Sequence, residues 1–312
     1  MATATVERPQ LRRVIAVING KGGVGKTSVV ANLGGLLAAA EYRVLLVDLD
    51  PQGNLGEDLG YAGAGLGDEG RGLFLSLSTS SPLQPLREVR PNLDVIVGGE
   101  ELNDLAATLY ARRQRNAAGA ANALAVGLAG IAGNYDLVLL DCPPGQDVLQ
   151  EAALVAARWI LIPTRTDASS RKGLREVGRR FLAARDNNPD LELLGVLLFG
   201  TTSTARRITA QARADLHTDL GGVAPLFDTA IRYVEAAAVD ARNRGQLVHE
   251  LERDVLNAPK WFERLRAGTS KEGTLAASAG TLAADYQALA EEVLNRLVAA
   301  ETAGQATSRA TA

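Results

Sequence analysis

Cysteine, histidine and aromatic residues are scarce in this chain of 312 residues. The single cysteine, Cys142, excludes a disulfide framework, so we expect a reducing, cytoplasmic location. The two histidines, His217 and His249, give almost no support to a histidine-based metal site. No apolar run approaches the length of a membrane span, and residues 1–12 lack the apolar core of a signal peptide. These shortages argue against disulfide-stabilised, histidine-metal and membrane-spanning classes of protein.

Lysine is scarce as well, and its distribution is informative. The chain has five lysines, and nearly all of its other basic residues are arginine. Two of the five, Lys21 and Lys26, fall within the stretch NGKGGVGKTS. A compact ammonium fits a crowded phosphate cage, whereas a planar guanidinium does not. Lys21 is therefore either specified by a site or, on the simpler interpretation, a solvated charge at a loop tip.

Residues 20–27 match the phosphate-binding spacing G-x-x-x-x-G-K-[ST]. The preceding apolar run, Val14 to Ile18, predicts a buried parallel strand, and Ser28 onward predicts a helix. Backbone N–H groups of a glycine-rich loop before a helix bind phosphate charge. The motif predicts that Lys26 reaches the β- and γ-phosphates and that the Thr27 hydroxyl ligates Mg²⁺. The residues that we expect to bind the nucleotide are Lys21, Gly22, Gly23, Val24, Gly25, Lys26, Thr27 and Ser28.

The segment KGGVGKT resembles the deviant Walker A motif of the ParA/MinD group of P-loop ATPases. The resemblance implies that Lys21 is the signature lysine, which crosses a dimer interface to the nucleotide of the partner subunit. It also implies ATP rather than GTP as the nucleotide. In the resulting prediction the catalytic residues are Lys21, Lys26 and Asp50.

Three aspartates follow predicted strands. Asp48 and Asp50 follow the apolar run in YRVLLVDLDPQGNLG, and Asp141 ends the one in YDLVLLDCPPG. Carboxylates at the carboxyl ends of parallel strands face the crevice where such sheets bind ligands, although any one of them alone could be a cap or turn residue. The resemblance implies that Asp50 orients the attacking water, that Asp48 supports the metal shell and that Asp141 is the Walker B acid. The predicted metal-binding residues are Thr27, Asp48 and Asp141.

Strands alternating with helical patterns predict an α/β fold, a doubly wound and mostly parallel sheet with helices on both faces, as in P-loop NTPases. We expect a flexible leader over 1–12, an ATPase domain over 13–250, C-terminal helices over 251–301 that pack on it, and a disordered tail over 302–312. Glycine, serine and proline predict an irregular surface insertion over about 56–91, near the dimer face. Later stretches resemble the family more loosely, and they suggest an adenine pocket around 199–202 and 227–233.

Basic residues in the second half of the chain predict a DNA-binding surface, although the formal net charge is −3. Arg171, Arg175 and Arg179 repeat every four residues and so line one face of a helix, and we expect this helix to face away from the phosphate loop. Ordinary solvated helix faces are the alternative. The full set of candidate DNA contacts is Arg171, Lys172, Arg175, Arg206, Arg207, Arg232, Arg242 and Arg244.

The resemblance as a whole implies a ParA-like ATPase with ATP and Mg²⁺ as cofactors. It would form a homodimer with ATP, bind non-specific DNA and segregate a plasmid, chromosome or prophage. A ParB-like centromere-binding protein would stimulate hydrolysis, and the ATP form would be nucleoid-associated, without stable membrane association. The alternatives are an ATPase of the same group that positions a protein complex or acts at the membrane, and a non-hydrolysing ATP-binding regulator.

Overall fold

A single eight-stranded sheet organises the chain. The computed structural model describes residue 6 and residues 8–201, 206–219, 225–258 and 278–311. The strand order is β3-β4-β2-β5-β1-β6-β7-β8, and neighbouring strands are parallel except for the antiparallel pair β3 and β4. The strands are β1 (Val14–Val17), β2 (Val44–Asp48), β3 (Leu86–Arg90), β4 (Leu93–Ile96), β5 (Leu137–Asp141), β6 (Trp159–Thr164), β7 (Glu192–Thr201) and β8 (Leu226–Arg232). The predicted mostly parallel sheet is confirmed.

Helices connect the strands and follow the last one. They are α1 (Lys26–Ala39), α2 (Asn54–Asp58), α3 (Arg71–Thr79), α4 (Leu102–Arg115), α5 (Ala117–Ala121), α6 (Ala123–Ala129), α7 (Asp147–Ala156), α8 (Ala168–Ala184), α9 (Arg206–Asp219), α10 (Glu235–Arg244), α11 (Val248–Asn257) and α12 (Ala279–Thr311). Short 3₁₀ turns cover Arg8–Leu11 and Ala132–Asn134. The fold is thus the alternating α/β arrangement that the sequence predicts.

Each face of the sheet carries its own hydrophobic core. Alternate strand residues face opposite sides, so that Val14 and Ala16 belong to one core and Ile15 and Val17 to the other. Helices α3, α4, α6, α7 and α8 contribute to the first core, whereas α1, α11 and α12 contribute to the second. Helices on both faces are what a doubly wound sheet requires, and this prediction is confirmed.

Two segments predicted to lack regular structure are partly ordered. In the predicted flexible leader, the 3₁₀ turn buries Leu11, and the Arg8 guanidinium donates to the carbonyl of Asn187 over 2.8 Å. In the predicted irregular insertion over 56–91, α3 and the edge strand β3 form, and Leu73 and Leu77 are buried. The prediction of irregular structure was wrong for these two elements, because scattered leucines supply enough apolar surface to pack them on the two cores.

The chain ends in one long helix rather than in a disordered tail. Helix α12 continues to Thr311, so the disorder predicted for 302–312 is wrong for the backbone up to that residue. This helix buries an apolar stripe in the second core: Leu282, Tyr286, Leu289, Val293 and Leu297. Among the residues that the structure describes, no helix is both long and apolar enough to span a membrane.

Candidate nucleotide site

The phosphate-binding loop lies between the carboxyl end of β1 and the first turn of α1, as predicted. Gly25 caps α1 in the left-handed conformation, with φ of 87°, which disfavours any residue with a Cβ. A Cβ at this position would also overlap the ring of Phe199 from β7. Two constraints therefore specify glycine here, and the backbone N–H groups at the start of α1 remain open to an anion.

The two lysines of the loop are used differently. Lys26 is buried, and its Nζ donates to the backbone oxygen of Lys21 over 3.1 Å, so that it stays inside the loop. The Lys21 side chain leaves the loop, and its Nζ forms an ion pair with Asp167 Oδ1 at 2.9 Å in a partly exposed position. The backbone of Lys21 is fixed by Asn19, whose Oδ1 accepts from the Lys21 N–H. The Lys26 ammonium thus lies within the loop, and the Lys21 ammonium points out of it.

The three predicted aspartates converge next to this loop. Asp48 and Asp141 are register partners at the ends of the adjacent strands β2 and β5, and both are fully buried. Asp50 is buried as well, and its N–H donates to Asp48 Oδ1 over 2.9 Å. Asp50 Oδ1 in turn accepts from the N–H of Gln52. The strand ends therefore place all three carboxylates where parallel sheets bind ligands.

Burial perturbs the protonation of these groups. It raises the pKa of Asp48 well above its usual range, and the neighbouring Asp141 carboxylate raises it further. Burial also raises the pKa of Asp141, and the Thr27 hydroxyl and the Lys26 ammonium oppose that rise. For Lys26 burial lowers the pKa, and the Asp141 carboxylate opposes this. Two acids and an ammonium therefore act on one another in a buried site, which is an arrangement often found at functional sites.

The acids fit a hydrated cation. Asp48 Oδ2 and both oxygens of Asp141 are buried without a hydrogen-bond partner of normal geometry among the described residues. Buried acceptors of this kind need a donor or a cation. Within the described ranges, no cluster of three or more His, Cys, Asp or Glu side chains is arranged to hold a metal alone. Magnesium is usually held by one or two protein oxygens together with water and phosphate, so Thr27, Asp48 and Asp141 suit it.

A cavity of about 460 Å³ opens beside the loop. Its walls include Phe199 at the end of β7, Tyr233 just after β8, and apolar residues of α10 such as Val239. Of the regions predicted to hold adenine, Phe199, Arg232 and Tyr233 line this cavity, whereas Phe227 is buried outside its lining. Thr202 lies outside the described residues. Aromatic and apolar walls next to a phosphate loop are suited to a nucleoside.

The far wall of the cavity is attached to the rest of the fold by polar contacts. Asn32 of α1 accepts from the N–H of Val248 over 2.9 Å, which joins the phosphate-loop helix to the start of α11. Arg90 of β3 pairs with Glu250 of α11 at 2.6 Å and donates to the carbonyl of Gly245 over 2.9 Å. The strand formed by the insertion thus fixes the position of α10 and α11, which carry the wall.

Helix α8 packs directly on the phosphate loop. A Cβ at Gly173 would lie 2.5 Å from Asn19 Oδ1, and a Cβ at Gly20 would lie 2.9 Å from Glu176 Oε2. Glu176 also pairs with Arg180 at 2.5 Å, and Arg180 reaches Asp147 after β5. The prediction that this helix points away from the loop is therefore wrong. The period of four residues identified its exposed face, but nothing in that period reveals what the opposite face contacts.

Of the predicted DNA-binding residues, the structure describes the side chains of four arginines, and they differ in exposure and pairing. Arg175 and Arg179 are exposed on α8, and Arg244 is exposed at the end of α10. Arg232 pairs with Asp285, and Arg242 pairs with Asp58, each at 2.6 Å, so these two guanidinium groups support the wall of the cavity. The side chains of Arg171, Lys172, Arg206 and Arg207 lie outside the described residues.

Sequence reasoning missed several residues of the site. Asp167, the partner of Lys21, lies in the stretch TRTDASS, which has no motif to identify it. Asn32 and Val248 meet only because α1 and α11 pack together. Asn19 precedes the motif and is fully buried, and its Nδ2 donates to the carbonyl of Pro163 over 2.8 Å. An uncharged amide between an apolar strand and a glycine-rich loop was the one available signal.

Comparison with known proteins places this geometry in a family. Residues 12–193 match the family model described as an AAA domain. The chromosome partitioning protein ParA of Caulobacter vibrioides is 33% identical over 247 residues, which cover 77% of this chain and 88% of that protein. The chromosome-partitioning ATPase Soj of Thermus thermophilus is 36% identical over 211 residues, covering 66% of this chain and 78% of that protein.

A solved structure supports the same fold. Cobyrinic acid a,c-diamide synthase from Mycobacterium smegmatis, with bound ADP and magnesium, superposes with a TM-score of 0.59 at 29% identity. The superposition covers 82% of this chain and 96% of that chain. The match spans most of both chains, so the likeness is one of overall fold.

Proposed function

Because this chain belongs to the ParA-type partitioning ATPases of the ParA/MinD group, we propose that it binds ATP with Mg²⁺, dimerises in that state and binds non-specific DNA as the dimer. Membership of the family makes it an ATPase. The orphaned oxygens of Asp48 and Asp141 beside the phosphate loop are in keeping with that activity.

The direction of the Lys21 side chain carries the proposal. Lys26 already supplies the ammonium inside the loop, and it is buried there. Lys21 instead extends to Asp167 at a partly exposed position, where about a third of its side chain is accessible. An ammonium on a flexible stem can exchange one carboxylate partner for a phosphate of a second subunit. We therefore assign Lys21 to the nucleotide of the partner subunit.

The acidic residues divide the chemistry of hydrolysis. When bound, Mg²⁺ neutralises charge on the β- and γ-phosphate oxygens. Thr27, Asp48 and Asp141 are the residues that would hold it, Asp141 through water. Lys26 balances phosphate charge from within the loop. The N–H of Gln52 fixes the Asp50 carboxylate over 3.0 Å, and in this orientation Asp50 positions the attacking water.

A DNA contact through α8 suits its place in the fold. Arg175 and Arg179 are exposed, while Gly173 and Glu176 of the same helix contact the phosphate loop. A nucleotide that alters the loop would therefore also act on the helix that carries these arginines. Dimer formation would double the basic face, so an acidic chain with net charge −3 could bind DNA in the ATP state alone.

The cycle would be completed by a second protein. A ParB-like, centromere-bound partner would stimulate hydrolysis and return the subunits to the monomeric ADP form. The cargo would be a plasmid, chromosome or prophage. Positioning of a protein complex is the alternative within the same family, and it would share ATP binding, dimerisation and hydrolysis without requiring DNA.

Titration of random-sequence duplex DNA by biolayer interferometry tests the proposal. Binding should require ATP. The logarithm of the association constant should fall linearly with the logarithm of the salt concentration, with a slope of about −0.9 per phosphate contact. Arg175→Glu combined with Arg179→Glu should flatten that slope, whereas Arg115→Glu, at an exposed arginine of α4, should leave it unchanged. Equal binding with ATP, with ADP and without nucleotide would contradict a dimer-assembled surface. No binding in any state would favour the positioning alternative.

A further inference from the structure

Arg165 lies at the rim of the nucleotide cavity. It directly follows β6, and its Nη1 lies 3.5 Å from the carbonyl oxygen of Gly23 at the tip of the phosphate loop. Its Cζ lies 5.9 Å from the centroid of the Tyr233 ring. Gly23 and Tyr233 both line the cavity, so the guanidinium lies next to the phosphate loop and faces the aromatic wall.

This guanidinium differs from the other arginines around the cavity. Arg232 and Arg242 each pair with a carboxylate, Asp285 and Asp58 respectively, at 2.6 Å. Among the described residues, no carboxylate lies within ion-pair distance of Arg165, and its contact with the Gly23 oxygen is at the outer limit of a hydrogen bond. A partly buried guanidinium without a counter-ion, next to a loop built for anions, lacks an anionic partner.

Arginine is suited to such a partner because its planar donors can grip two phosphate oxygens at once. If Lys21 serves the partner subunit, the nucleotide keeps only Lys26 from its own loop. Arg165 supplies a guanidinium close to that loop, with Nη1 3.5 Å from the Gly23 oxygen and Cζ 5.9 Å from the Tyr233 ring.

We propose that Arg165 is a further nucleotide-binding residue, and that its guanidinium donates to the phosphate chain of the nucleotide held in the same subunit. The inference rests on the proposed nucleotide binding and is independent of DNA. Adenosine has no phosphate, so the proposal makes a specific prediction. Loss of Arg165 must weaken the binding of ADP and must leave the binding of adenosine unchanged.

Displacement of a fluorescent ADP analogue from the monomeric Lys21→Ala protein tests this. Arg165→Ala should weaken ADP binding at least about tenfold, since hydrogen bonds to charged groups contribute about 1.5–3 kcal/mol. It should not change the affinity for adenosine. Arg165→Lys should restore part of the affinity. Arg158→Ala is the matched control, because Arg158 stands before the other end of β6 and pairs with Glu192 at 2.7 Å; it should bind ADP as the parent does.

Two results would overturn the inference. The first is unchanged ADP affinity in Arg165→Ala. The second is an equal loss of ADP and adenosine, which would mean that Arg165 only supports the Tyr233 wall. If Arg165→Ala does not fold, Arg165→Gln takes its place, because the amide can still reach Gly23 but carries no charge. Failure of the parent protein to bind ADP would instead contradict the proposed function.

Discussion

The contact between α8 and the phosphate loop can be tested by a pair of glycine substitutions in one helix. Gly173 is buried against the loop, and an alanine Cβ there would lie 2.5 Å from Asn19 Oδ1, where ordinary contact begins at 3.4 Å. Gly178 is exposed, and a Cβ there would meet nothing within 4 Å. The two substitutions are chemically identical, so they differ only in what the new methyl group meets.

The size of the effect of Gly173→Ala follows from the two hydrogen bonds that fix the Asn19 side chain. Its Nδ2 donates to Pro163 O over 2.8 Å and its Oδ1 accepts from Lys21 N over 2.9 Å, so the amide cannot rotate away without losing both bonds. Either α8 or the loop must therefore shift by about 1 Å. Overpacking of this kind costs about 1–3 kcal/mol. Replacing a helical glycine by alanine gains about 0.5–1 kcal/mol at both positions.

Urea unfolding and ADP titration provide the assay. Gly178→Ala should raise the free energy of unfolding by about 0.5–1 kcal/mol and leave ADP affinity unchanged. Gly173→Ala should lose that gain and bind ADP about tenfold or more weakly, because a displacement near 1 Å at a binding loop is costly. If Gly173→Ala were stabilised as much as Gly178→Ala and bound ADP normally, α8 would not press on the phosphate loop.

Three further predictions follow from the site and its supports. Lys26→Ala should abolish ATP binding in calorimetry, because the phosphate charge loses its counter-ion within the loop; tight binding by this variant would contradict the assignment. Arg90→Ala should cost about 3–5 kcal/mol in urea unfolding, since Glu250 would remain largely buried without its cation. The control Arg43→Ala breaks an exposed pair with Asp136 and should cost about 1 kcal/mol or less. The pKa of Glu250 is raised by burial but lowered overall by its bonds from Arg90 and the Leu247 N–H. The stability that depends on Arg90 should therefore be complete above the ordinary pKa of a glutamate and disappear as pH falls through the lowered value; a difference between the parent and Arg90→Ala that stayed constant through acid pH would argue against this pairing.

The features that the sequence predicts correctly are local ones. A strand, a glycine-rich loop and a helix occur in succession around Lys26, and strand ends place Asp48 and Asp141 without reference to distant residues. Contacts between distant residues carry no such pattern. Arg242 pairs with Asp58 across 184 residues of sequence, a contact with the cavity wall that no local pattern predicts.

Two segments were predicted to lack regular structure for a related reason: local composition does not reveal tertiary packing. Glycine, serine and proline between 56 and 91 predict irregular structure from local propensity alone. The leucines Leu73, Leu77 and Leu83 reach the first core and order the segment through tertiary packing. The same holds at the carboxyl terminus, where α12 continues as a helix from a well-packed stretch through residues of weaker propensity.

The central claim is that Lys21 completes the nucleotide site of a second subunit, and a mixing experiment tests it most directly. Lys21→Ala and Asp50→Ala should each be inactive in ATP hydrolysis alone. If Lys21 acts across the interface, a mixed dimer contains one complete site: the Lys21→Ala subunit supplies Asp50 and Lys26, and the Asp50→Ala subunit supplies Lys21. Hydrolysis should therefore reappear when the two inactive proteins are mixed with ATP and Mg²⁺. If every mixture stayed inactive while differently tagged variants were purified together as mixed dimers, Lys21 would act within its own subunit and the account would be wrong.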